Sequence, residues 1–76
     1  MTTVQYDITA VDISKDTLEV LSQTKSFSVP NDKEGFATIV EHLVTSESPL
    51  VAFEATGGYE RNLAEALANV SIPYAR

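Results

Sequence analysis

Between Tyr6 and Val20 the chain reads as a strand, a short turn and a returning strand, with a carboxylate at the first break. Tyr6-Asp7-Ile8-Thr9-Ala10-Val11-Asp12-Ile13 is rich in β-branched and aromatic residues, and strand alternation puts Tyr6, Ile8, Ala10 and Asp12 on one face. Asp12 closes that mainly apolar row. A carboxylate there is costly to desolvate unless it is paired, hydrogen-bonded or holding a cation, so the position needs an explanation. Asp7 and Thr9 fall on the other face, where partial solvation is expected.

Past the turn at Ser14-Lys15-Asp16, the segment Thr17-Leu18-Glu19-Val20-Leu21 is expected to pair antiparallel with the first strand. Ser22-Gln23-Thr24 turns the chain again. Lys25-Ser26-Phe27-Ser28-Val29 alternates polar and apolar, and Pro30 stops it, which predicts a sheet edge. Asn31 is placed to cap a helix, with Glu34 in the capping-box position. Phe36, Ile39, Val40, Leu43 and Val44 then form one helical stripe, leaving Glu41, His42 and Glu47 toward water. Leu50-Val51-Ala52-Phe53 suits a strand covered on both faces and ends at Glu54. Gly57-Gly58 turns the chain into a second helix, from about Tyr59 to Asn69, with Leu63, Ala64, Leu67 and Val70 inward. Ser71 to Arg76 reads as the start of a further strand, interrupted within it.

The order β-β-β-α-β-α-β implies a mixed α/β sheet in which the first and fourth strands are parallel neighbours joined by a right-handed crossover. Both end in an acid, and parallel neighbours present their ends on the same sheet edge. Asp12 is therefore expected near Glu54. Two such carboxylates fit a magnesium ion, which takes oxygen ligands and often uses only one or two protein carboxylates, although strand-end acids are frequent and solvated loop carboxylates explain them as well. The chain has no cysteine and one histidine, so thiolate and multi-histidine sites are excluded and any metal must be held by oxygen. Gly57-Gly58 ahead of a helix offers backbone N–H groups to a phosphate, with Lys15 and Arg61 near the same edge, although a plain turn explains the glycines as well.

A formal charge of −6 with five Lys and Arg argues against a nucleic-acid surface confined to these residues. The first residues have neither the basic start nor the apolar run of a signal peptide, and no stretch approaches a membrane span, so a cytoplasmic location without membrane contact is expected. The 76 residues allow one small domain.

Two blocks resemble a known family. Val11-Asp12-Ile13-Ser14-Lys15-Asp16-Thr17-Leu18 is similar to the G-I-D-V-S-K-D-x-L opening, and Phe53-Glu54-Ala55-Thr56-Gly57-Gly58-Tyr59-Glu60-Arg61 to the E-A-T-G-G-Y-E-R block, of insertion-sequence transposases of the IS 110 type, which include the Piv and MooV DNA invertases. Ala10 stands where glycine is usual, and Asn62 where proline often follows the arginine. The resemblance implies a ribonuclease H-like, RuvC-like fold whose Asp-Glu-Asp-Asp acids bind magnesium, or manganese, for DNA cleavage and rejoining. Asp12 matches the first acid and Glu54 the second, as catalytic residues and metal ligands. On this likeness residues 1–76 are the N-terminal part of the catalytic domain, inactive alone. The full-length protein is then expected to act on DNA as an oligomer, together with a structured RNA from its own element. Rival readings are a phosphotransferase of the actin and sugar-kinase type, whose glycine-rich hairpin turn is missing at Ser14-Lys15-Asp16, and a non-catalytic module that pairs its third strand with a partner.

Overall fold

A computed structural model describes residues 5–54 and 56–75; Ala55 of the second block and Arg76 of the last expected strand lie outside the described residues. The order is β1 (Asp7–Ile13), β2 (Thr17–Leu21), β3 (Ser26–Pro30), α1 (Lys33–Leu43), β4 (Pro49–Ala52), α2 (Arg61–Asn69) and β5 (Tyr74–Ala75). These strands form one mixed sheet in the order β3-β2-β1-β4-β5. The meander β1-β2-β3 is antiparallel, whereas β4 runs parallel to β1 and β5 parallel to β4. The expected parallel neighbours and edge strand are both present. Among the described residues, no helix is long and apolar enough to cross a membrane.

Alternation decides which side chains meet the helices. Val11 and Ile13 of β1, Leu18 and Val20 of β2, Val29 of β3, and Val51 with Phe53 from the β4 segment join Phe36, Ile39 and Leu43 of α1 and Leu63, Ala64 and Leu67 of α2 in one buried cluster. Both helices therefore cover the same sheet face. This reverses the expected polarity of β1: Thr9 is buried with Val11 and Ile13, while Tyr6, Ile8, Ala10 and Asp12 are exposed. Both faces of β1 carry apolar residues, and the helices select the one with Val11 and Ile13. Nor is β4 covered on both sides, since Val51 is buried and Leu50 and Ala52 are only half-buried.

The helix ends also differ from expectation. Asp32, not Asn31, caps α1, its Oδ1 accepting from the Gly35 N–H at 3.0 Å. Gly35 lies against the end of β3, where a Cβ would collide with the Pro30 carbonyl, so this close approach requires glycine. Val44 stands at the C-cap and is exposed, as is Val70 after α2, because each stripe ends with its helix. His42 does not lie free in water: it is half-buried, its ring meeting Phe27 edge-on at 5.5 Å between centroids. The second helix starts at Arg61, Tyr59 and Glu60 belonging to the turn before it.

One chemical change made on the two faces tests this packing. Ile39 is fully buried, and Ile39→Ala is expected to cost about 2–5 kcal/mol. Ile8 is 51% exposed, and Ile8→Ala is expected to cost about 1 kcal/mol or less. Urea unfolding of the two variants checks the difference; equal losses contradict the one-sided core.

Candidate functional site

The parallel register of β1 and β4 pairs Ala10 with Ala52. Asp12 lies two residues beyond Ala10 and Glu54 two beyond Ala52, so both carboxylates emerge at the same end of adjacent strands. Both are exposed, and they line one cleft of about 550 Å³ together with Ala10, Leu21, Ala52 and Thr56. Asp12 is thus a solvated acid at a cleft mouth and not a buried one closing an apolar row. Opposite it across the antiparallel β1–β2 pair stands Glu19, which gives two like charges directly facing each other on the open face. Among the described residues, no group of three or more His, Asp or Glu side chains is placed to hold a metal ion. Two hard oxygen donors still match the needs of magnesium, which keeps several waters when few carboxylates bind it.

The loop after β4 is organised by a residue to which sequence reasoning gave no role. Glu60 is 5% exposed, and its Oε1 accepts from the Thr56 N–H at 3.1 Å, the Thr56 hydroxyl at 3.0 Å and the Gly58 N–H at 3.0 Å. Gly57 and Gly58 have φ of 77° and 121°, a conformation that side chains other than glycine adopt at a cost. Their turn wraps the Thr56 and Gly58 donors around the carboxylate, where an external anion would otherwise sit. The phosphate-binding reading of this turn loses those two N–H groups. A hydroxyl residue four positions ahead of an acid, with two glycines between them, was the available signal.

Hydrogen bonding holds Glu60 well below its ordinary value, at about 2. Its own backbone N–H contributes most, followed by that of Thr56; burial opposes the shift, and the Thr56 hydroxyl and Gly58 N–H add to it. Asn31 joins the same region from another side. Its Nδ2 donates to the Ser14 carbonyl at 3.0 Å and the Tyr59 carbonyl at 3.1 Å, and its backbone N–H donates to the Asp16 carbonyl at 2.9 Å. The turn after β1 and the loop before α2 are thereby tied together. Lys15 in that turn and Arg61 at the start of α2 are both exposed.

At the opposite end of β1, the Ser46 hydroxyl donates to the Asp7 carboxylate. Asp7, Ser46, Thr45, Ser22, Thr24 and His42 line a smaller cleft of about 240 Å³ there. It lies away from Asp12 and Glu54, and His42 takes no part in their cleft. No model of a known protein family matches the chain, and no curated protein matches it significantly.

The Glu60 clamp makes a pH-dependent prediction. A carboxyl whose value falls on folding stabilises the fold fully above its unfolded value, and that contribution disappears as pH drops through the folded value. Glu60 should therefore contribute undiminished above about 4.5 and progressively less as pH falls toward about 2. In Glu60→Gln, the urea midpoint should be lower than that of the parent at neutral pH, with the gap closing over this window. A gap independent of pH contradicts the clamp.

Proposed function

We propose that residues 1–76 form part of the ribonuclease H-like, RuvC-like catalytic domain of a DNA transposase or recombinase similar to the IS 110 type, in which Asp12 and Glu54 hold magnesium. The observation that carries this reading is the convergence of the two motif acids: each follows an alanine of the register pair Ala10 and Ala52 by two residues, and both line one cleft. The two sequence blocks support it as well, since they supply these two acids in the order and spacing of that family. The β-β-β-α-β-α-β order and the mixed sheet are compatible with the topology it requires.

In this reading Asp12 and Glu54 bind through carboxylate oxygens, and manganese can replace magnesium. A bound divalent ion supplies charge stabilisation and water activation for phosphodiester cleavage. Asn31 and Glu60 position the loops that flank the two acids. Two of the family's four acids are present, so DNA chemistry requires the later aspartates as well. The charge of −6 makes these residues a poor grip on DNA, so in this reading contacts to DNA, and to any structured RNA, come from other parts of an oligomeric full-length protein.

The reading makes a metal-linked prediction. Asp12 faces Glu19 across the ladder, so removing its charge relieves a repulsion that a cation would also relieve. Millimolar magnesium or manganese should raise the thermal midpoint by about 2 °C, the size expected when the ion modestly exceeds its dissociation constant. Asp12→Asn should raise the midpoint without metal and abolish the metal response. Glu65→Gln, an equal charge change at an exposed position lining a different cleft, should leave the response intact. A full metal response in Asp12→Asn overturns the assignment.

A further inference from the structure

The backbone ladder does not fix the spacing of the two motif acids. Pairing between β1 and β4 ends at Ala10 and Ala52, and Asp12 and Glu54 both lie beyond it. Past that point each strand is held by a different neighbour. Asp12 and Ile13 stay in register with Glu19 and Leu18 of β2, whereas the Phe53 N–H donates to the Ala75 carbonyl at 3.0 Å. Core packing of Ile13 and Phe53 limits separation of the two strand ends from the helix side without fixing it, because apolar contacts are not directional. The polar edge needs another tie.

Asn31 makes that tie. Its Nδ2 carries two hydrogens, and the carbonyls that receive them come one from each side: Ser14, two residues past Asp12, at 3.0 Å, and Tyr59, five residues past Glu54, at 3.1 Å. Among the described residues, no other side chain donates to both segments. Glu60, by contrast, accepts only from Thr56 and Gly58 of its own loop. Asn31 is itself anchored, since its backbone N–H donates to the Asp16 carbonyl at 2.9 Å, the preceding Pro30 pairs with Thr17, and the following Asp32 caps α1. The helix thus has no need of Asn31 as a cap. The two acceptors are what require an amide: a carboxylate would turn oxygen toward both carbonyls, and truncation would remove the donor they share.

We propose that Asn31 is a positioning residue of the cation edge: by holding the Ser14 and Tyr59 carbonyls on one amide it sets the spacing of Asp12 and Glu54, and through that spacing the affinity for a divalent ion that it does not touch. This role rests on the proposed function and adds to it a residue outside both sequence blocks. Groups that orient metal ligands from behind change affinity about 10- to 100-fold when removed, and one that acts through the backbone belongs at the low end.

The test compares the parent with Asn31→Ala, Asn31→Ser and Ile39→Val, none of which alters charge. Mn²⁺ is titrated into each ¹⁵N-labelled chain, and the dissociation constant is taken from broadening of amides 12–13 and 53–54. Both Asn31 variants are expected to bind about tenfold more weakly than the parent. Without metal, their amide shifts should differ from the parent's in 14–17 and in 56–60 together. Ile39→Val, a truncation in the core, should lose stability and keep the parent's affinity. Parent affinity in both Asn31 variants overturns the positioning role and leaves the cation site standing. The role is also overturned by shifts confined to one of the two segments, by equal weakening in Ile39→Val, or by loss of the dispersed spectrum in both Asn31 variants, since the amide then supports the fold at large. A parent without Mn²⁺ broadening at this edge overturns the site itself, and the role with it.

Discussion

The parallel pairing of β1 with β4 is the constraint on which the rest of the molecule depends. It forces the chain between β3 and β4 to cross the sheet, and that crossing is α1. It also brings the ends of the two strands to one edge, where Asp12 and Glu54 open into the same cleft. Hydrophobic burial holds the pairing in place: Val51 on β4 and Val11 on β1 share a cluster with Ile39 of α1 and Leu63 and Leu67 of α2. The acids themselves contribute no apolar burial, and Asp12 faces Glu19 across the neighbouring ladder. The fold therefore carries a local electrostatic cost at the edge where the two motif acids meet.

Around that edge, polar side chains stabilise loops that packing alone leaves undefined. Glu60 gathers the Thr56 and Gly58 donors, and Asn31 links the Ser14 and Tyr59 carbonyls. Asn31 connects the segments that follow the two motif acids, and Glu60 closes the loop after Glu54. The two interactions explain why the second sequence block contains a second glutamate and a glycine pair: the carboxylate fills the concavity that the positive-φ turn creates. They also narrow the chemistry available there, since donors committed to Glu60 are not free for a phosphate.

Much of the architecture was legible from local pattern. The hairpin, the edge strand ended by Pro30 and the crossover that makes β1 and β4 neighbours all follow from alternation, turn residues and connection rules, and the sheet contains them. The inner face of β1 was not legible, because Ile8 and Ala10 on one side compete with Val11 and Ile13 on the other, and only the position of the helices decides between them. Adjacent Asn31 and Asp32 are both good caps, and the distant carbonyls of Ser14 and Tyr59 draw Asn31 away from that role. His42 meets a ring on β3, a contact that helical spacing does not encode. Of the candidate site, both acids and the glycine turn could be read directly. Glu60 left only the weak signal of Thr56 four positions ahead across two glycines, because its burial depends on how the loop folds around it.

The central claim is that Asp12 and Glu54 act together at one sheet edge as a divalent-cation site, and paramagnetic broadening by manganese tests it most directly. Substoichiometric Mn²⁺ added to the ¹⁵N-labelled chain broadens amides according to their distance from the ion. The account predicts losses centred jointly on residues 12–13 and 53–56, absent in both Asp12→Asn and Glu54→Gln. Broadening centred on the Asp7 and Ser46 cleft, or surviving either substitution, would contradict it.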